Sequence, residues 1–143
     1  MPPNALPCQV YSITDIKQII KNKILNIWQK EWKTSNTKLN EIKNHILPLP
    51  NNTLTWKEEV VINRLRIGHT RLIHAFLMKK EDLPMCPTCN DPMTVEQILT
   101  DCRKYKLQRQ KFNLTHHLAE NLNIDTTKIL KFLKDTELLK KIQ

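Results

Sequence analysis

A single glycine, Gly68, serves all 143 residues. Tight hairpin turns, phosphate-cradling loops and the dinucleotide fingerprint all need backbone at positive φ or close approach, which glycine supplies. Nucleotide binding of the P-loop or Rossmann kind is therefore excluded, and the chain must fold by helices. Apolar residues make up 40%, enough for a core in one small domain. No apolar run approaches the roughly 20 residues of a membrane span. The N-terminus, Met1-Pro2-Pro3-Asn4, lacks the charged and apolar regions of a secretory signal. An intracellular protein, cytoplasmic or nuclear, with no membrane partner is expected.

Helical periodicity covers most of the chain, and the expected fold class is mainly α, a small helical domain with a cysteine-containing, zinc-knuckle-like loop between helices. Residues 1–11, with three prolines, read as an extended arm. Ser12 and Asp15 have capping-box spacing, and Ile16, Ile20, Ile24, Ile27 and Trp28 follow at intervals of three and four. That helix should run to about Trp32 or Lys33, with Trp28 and Trp32 as core anchors. A Pro/Asn-rich connector completes a 12–54 segment. The helical domain, 55–143, opens with a second capping box, Thr55 to Glu58. Val61, Leu65, Leu72 and Phe76 keep the helical period across Gly68, and Gly-His-Thr favours a break there. Thr94 to Gln97 suggests another capped helix through Ile98, Leu99, Cys102 and Tyr105. Ile129, Leu130, Phe132 and Leu133 mark a further one. Leu138, Leu139 and Ile142 suggest a frayed last turn.

Charge is uneven. Lys and Arg number 23 against 14 Asp and Glu, a net +9. Residues 103–111 hold five bases and no acid, while 81–102 hold five acids and no base. Basic helices favour a polyanionic partner, and guanidinium forks suit phosphate. A lysine-rich solubilising surface would give much the same pattern. The candidate nucleic-acid contacts are Arg64, Arg66, Arg71, Arg103, Lys104, Lys106, Arg109 and Lys111. Lys57, Arg64 and Arg71 would share a flank only on an unbroken helix.

The acidic stretch holds Cys86-Pro87-Thr88-Cys89, with Cys102 twelve residues beyond Asn90. Two thiols on a turn and a third on the next helix is a common plan for zinc. A structural zinc ion wants a fourth ligand, and His69 or His74 is the available candidate. Three reduced cysteines, with Cys102 filling the core, fit the pattern too. A negative knuckle without aromatic residues does not suit base stacking, so a bound metal would staple the proline-rich loop to the following helix. His116 and His117, adjacent on a helix, diverge by about 100° and make a poor joint site. No hydrolase, kinase or metalloprotease motif is present, and an enzyme is the least expected class.

The run Glu59-Val60-Val61-Ile62-Asn63-Arg64-Leu65-Arg66-Ile67-Gly68-His69-Thr70-Arg71-Leu72-Ile73-His74, then Pro84-Met85-Cys86-Pro87-Thr88-Cys89 and Thr94 to Cys102, is similar to a segment of jockey-like non-LTR retrotransposon polyproteins. It resembles the C-terminal tail beyond their ribonuclease H domain, over about residues 12–142. In that family the metal pattern is Cys, Cys, His, Cys. Cys86, Cys89 and Cys102 match it, and Gln97 stands at the histidine position. The family's catalytic domains lie upstream of the matched region. The resemblance implies a non-catalytic tail that holds RNA or an RNA–DNA hybrid by its backbone. The rival readings are a docking module for a neighbouring ribonuclease H or reverse transcriptase domain, and a decayed element fragment without function.

Overall fold

A computed structural model describes residues 11–49, 53–123 and 126–142. The arm before Tyr11, part of the connector and the Asp125 cap lie outside them. The described residues form helices α1 (Ile13–Thr34), α2 (Lys38–Ile42), α3 (Trp56–Ile67), α4 (Arg71–Lys79), α5 (Lys106–Lys111), α6 (Leu118–Asn123), α7 (Thr126–Asp135) and α8 (Leu139–Ile142). Between α4 and α5 lie a π-helical turn, Gln97–Asp101, and a 3-10 turn, Arg103–Tyr105. The fold is mainly helical. The one β feature among the described residues is an antiparallel bridge between Met85 and Pro92, at the base of the cysteine loop.

Both expected capping boxes are present. Ser12 accepts from the Asp15 N–H while the Asp15 carboxylate takes the Ser12 N–H, and Thr55 and Glu58 do the same. The helix after Thr55 stops at Gly68, which adopts the left-handed φ of 73°. The Gly68 and His69 N–H groups close onto the Leu65 and Arg64 carbonyls. A Cβ at Gly68 would also stand 3.2 Å from Lys38 Cδ. The lone glycine thus sits where the backbone needs one. Thr70 takes the N-cap position of α4, but its hydroxyl makes no cap bond and is buried without a partner. The turn at Gly68 separates Lys57 and Arg64 from Arg71, so these three do not share one helix flank.

The core gathers Val61, Ile62 and Leu65 of α3, Leu99, Leu122 of α6, and Ile129, Phe132 and Leu133 of α7. Leu138 and Ile142 are only 2% exposed, so the C-terminal turn is packed rather than frayed; α8 lies against α4 and α7. Within the 12–54 segment, α2 packs on α3 and α6, and Ile42 joins the core. The Asn123 amide also donates to the Ile42 carbonyl.

α1 behaves differently, for none of its residues is buried. Trp28 is 53% exposed, which overturns its expected role as a core anchor. Trp32 is half-buried and donates its indole N–H to the Lys43 carbonyl at 2.8 Å. Gln29 closes the same junction, donating to the Asn44 carbonyl and accepting from the Ile46 N–H. The Asn40 amide donates to the Trp32 and Ser35 carbonyls just beyond. The periodicity was the same as that of a core helix; what differs is that nothing among the described residues covers the stripe.

The buried Arg66 guanidinium donates twice to the Leu122 carbonyl, at 3.0 and 2.8 Å, and once to Asn63. Its burial costs solvation, which lowers its pKa. Arg66→Met would leave the α6 carbonyl unpaired. It should lower stability by about 2 kcal/mol in urea denaturation, while Arg64→Met changes it far less.

The His69 and His74 rings stack with centroids 4.0 Å apart. Burial first, then the neighbouring His69 and Lys38 charges, hold the His74 pKa below its usual 6.5. The unfolded chain therefore takes up a proton at this residue first. Stability should fall as pH drops through about 6.5. His74→Gln should flatten that slope in thermal melts taken from neutral to mildly acid pH.

Candidate functional site

The loop after α4 is shaped by its own backbone. Lys80 ends the helix in the left-handed region, and the Met85–Pro92 bridge brings the loop's two arms together. Inside it the Cys86 N–H donates to the Asp91 carbonyl and the Asn90 N–H to the Cys86 carbonyl, both at 2.8 Å. Asn90 takes the positive φ of 59° that closes the turn. Cys86 and Cys89 therefore face the same way without help from glycine.

The third thiol arrives by a break in the next helix. Thr94 accepts from the Gln97 N–H as expected, but the predicted continuous helix does not follow. The backbone widens into the π turn Gln97–Asp101, and Cys102 leaves it with ψ of 120°. Insertions of this kind re-aim side chains. At the break the Cys102 carbonyl accepts from the Tyr105 N–H and from Arg109 at 2.6 Å, and Arg109 donates more weakly to the Ile98 carbonyl.

Cys102 Sγ lies 3.6 Å from Cys86 Sγ and 3.7 Å from Cys89 Sγ, and all three sulfurs fall within 4.8 Å of one another. A tetrahedral ion with Zn–S bonds of about 2.3 Å has sulfurs roughly 3.8 Å apart, so this triangle is the right size for one face. The three cysteines are free thiols that can bind a metal ion. Burial pushes the Cys86 thiol up. The backbone N–H groups of Cys89 and Thr88, with Cys102 and Gln97, outweigh it and bring Cys86 down to about 7. Cys102 moves up, from burial and from Cys86 beside it. The Arg103 N–H reaches Cys89 Sγ at 3.3 Å. Amide donors around sulfur are what thiolates need, with or without a metal.

Neither His69 nor His74 belongs to the cluster. Their rings stack on each other instead, which removes both as the expected fourth ligand. Gln97 holds the opposite position. It is only 9% exposed, and its amide finds no oxygen or nitrogen partner; its polar contact is with the Cys86 thiol, whose pKa it lowers. Sulfur is a weak partner for a buried amide, and this one lies against the sulfur site. An amide oxygen is a weaker zinc donor than imidazole.

The basic candidates divide. Arg66 and Arg109 are both 8% exposed and spend their guanidinium groups on backbone carbonyls, so neither can reach a phosphate. The sequence held a sign of this, since Arg66 follows Ile62 and Arg109 follows Tyr105 by four residues, one helical turn along a buried face. Arg64 is exposed but donates to the Ile142 carbonyl, and Lys111 is paired with Asp135 at 2.5 Å. Arg71 stands exposed on α4. Arg103, Lys104 and Lys106 are exposed together, with the Lys104 ammonium over the Tyr105 ring. Arg103 and Lys106 border a groove of about 340 Å³ whose wall includes Gln110 and His116. His116 carried no motif; only the turn between α5 and α6 brings it there. Asp101 also lines the groove, its carboxylate accepting from the Thr100 hydroxyl at 2.7 Å.

Comparison with protein families, curated proteins and solved structures finds no match to this chain. Among the described residues no helix is long and apolar enough to cross a membrane.

Gln97→His should increase zinc retained per chain in native mass spectrometry, and Cys102→Ser should abolish the gain. Arg109→Met should weaken retention through the freed Cys102 carbonyl, by about tenfold in affinity.

Proposed function

We propose that this chain is a non-catalytic, nucleic-acid-handling tail of a non-LTR retrotransposon polyprotein, holding RNA or an RNA–DNA hybrid by its sugar–phosphate backbone. The polyprotein origin rests on the sequence resemblance alone. The binding role rests on one observation, the exposed Arg103 and Lys106 at the rim of a groove that also offers Gln110 and His116, with Lys104 exposed between them in sequence. Such groups meet phosphate oxygens without reading bases. The surface is smaller than the eight basic residues suggested, since Arg66 and Arg109 face inward and Arg64 and Lys111 have partners of their own.

The cysteine cluster adds a structural role to this reading. Zinc held by Cys86, Cys89 and Cys102, with Gln97 beside the fourth position, would clamp the loop to the π turn. That turn runs directly into Arg103. Metal would thus fix the groove's rim and take no part in contacting nucleic acid.

A second reading, a docking module for a neighbouring domain, draws on the uncovered face of α1. That surface is separate from the groove, and the lysines along it set the chemistry of any occupant.

Binding of fluorescent single-stranded RNA, duplex DNA and an RNA–DNA hybrid should fall steeply between low and moderate salt. Charge reversal at Arg103, Lys104 and Lys106 should weaken binding at low salt at least about tenfold and reduce the slope of log affinity against log salt by about 2. Unchanged binding in that triple variant would refute the assignment of the groove.

A further inference from the structure

α1 carries more uncovered apolar surface than a helix needs for solubility. Ile13, Ile16, Ile19, Ile20, Ile24, Ile27 and Trp28 are each at least 45% exposed. At about 100° per residue, five of the isoleucines fall within roughly 80°, and Ile19 and Trp28 widen the face to about 180°. The side that holds α1 to the rest of the molecule, through Gln29 and Trp32, lies about 150° away from the centre of that face. The stripe therefore points outward. Its lysines lie along the borders, Lys17 and Lys21 on one side, Lys23 and Lys30 on the other.

Those borders choose the occupant. The isoleucine spacing, 13, 16, 20, 24 and 27, is symmetric about Ile20 and would suit an antiparallel pair of α1 helices. Such a pair would set Lys17 and Lys21 of one copy beside Lys21 and Lys17 of the other on one side of the seam, and gather Lys23 of both copies on the other side. Like charges across a seam oppose it. An anionic surface removes that cost. The centre of the stripe is uniform isoleucine, without the aromatic anchor that marks protein hot spots, and the single tryptophan sits at the edge. Aromatic rings at the border and lysines reaching outward are what a bilayer interface favours. From Ile13 to Trp28 the stripe runs about 24 Å, all of it able to lie flat.

We propose that α1 is a membrane-surface helix that binds an anionic bilayer in the interfacial plane, with Ile13 to Trp28 facing the acyl chains and the bordering lysines at the headgroups. The expected lack of a membrane partner followed from the lack of a spanning segment, and a helix lying in the interface needs none.

The test is co-sedimentation of the full chain with phosphatidylcholine vesicles, with and without roughly a quarter phosphatidylserine. Binding is expected to the anionic vesicles and not to the neutral ones, with a blue shift in tryptophan emission that Trp28→Phe diminishes. Ile20→Gln with Ile24→Gln should weaken it at least about tenfold without altering net charge. Both positions are more than half exposed, and circular dichroism would verify that the helix content is kept. Charge reversal at Arg103 and Lys106 should leave vesicle binding within about twofold, which separates this surface from the nucleic-acid groove. Equal binding by the double glutamine variant would reduce the effect to adsorption of a basic protein and overturn the proposal. So would no binding to anionic vesicles by the helical wild-type chain, or a stable dimer by sedimentation velocity that the glutamine pair dissolves.

Discussion

The hydrogen bond from the Arg109 guanidinium to the Cys102 carbonyl ties α5 to the segment that carries the third cysteine. The helix is interrupted at Cys102 within the core, where Cys102, Ile98 and Leu99 are all buried and the Cys102 carbonyl accepts from the Tyr105 N–H. A charged donor makes the stronger bond to such a carbonyl. Arg109 supplies it from α5, only seven residues along the chain. This contact ties α5 to the π turn, alongside the Cys102 N–H to the Gln97 carbonyl and the Arg103 N–H to Cys89 Sγ, in the segment that carries the third sulfur and leads to Arg103 and Lys106. Arg66 plays the same part at the C-terminal end of α6, where Leu122 is the recipient. Two of the eight basic residues that could have met phosphate are thus structural.

Around this frame the chain separates its charges. The cysteine loop is acidic and closed by backbone bonds, and the basic rim begins at the residue after Cys102. Negative and positive surfaces lie side by side because they are consecutive in sequence and the break at Cys102 gives each its own direction. A metal on the three sulfurs would add positive charge where the loop is most negative, which suits a staple. Gln97 makes that staple weaker than a histidine would. Its amide is buried with only a weak sulfur partner in Cys86, an arrangement that costs stability.

Local chemistry made much of the fold legible. The boxes at Ser12–Asp15 and Thr55–Glu58 and the stop at Gly68 each rest on a few neighbouring residues whose bonds close within one turn of helix. The apolar set of α7 was readable for a related reason, since its stripe meets a core in the ordinary way. The stripe of α1 looked equivalent and was not. Periodicity says that a helix has an apolar face, and it is silent on whether the same chain supplies a cover. The π turn was likewise hidden. Thr94 and Gln97 give a normal start, and the widening at Cys102 is tied to Arg109, which arrives from the next element.

By itself, then, the sequence determined a glycine-poor helical chain, the places where helices begin and stop, and three thiols at a spacing that can share one ion. These follow from covalent geometry and from contacts a few residues apart. Only the tertiary structure decided which arginines face inward, that the two histidines stack on each other instead of joining the sulfurs, that the Gln97 amide is buried beside Cys86, and that α1 turns its isoleucines to the outside. Each of those depends on what a side chain meets across the fold, and charge or hydropathy along the chain carries no record of that meeting.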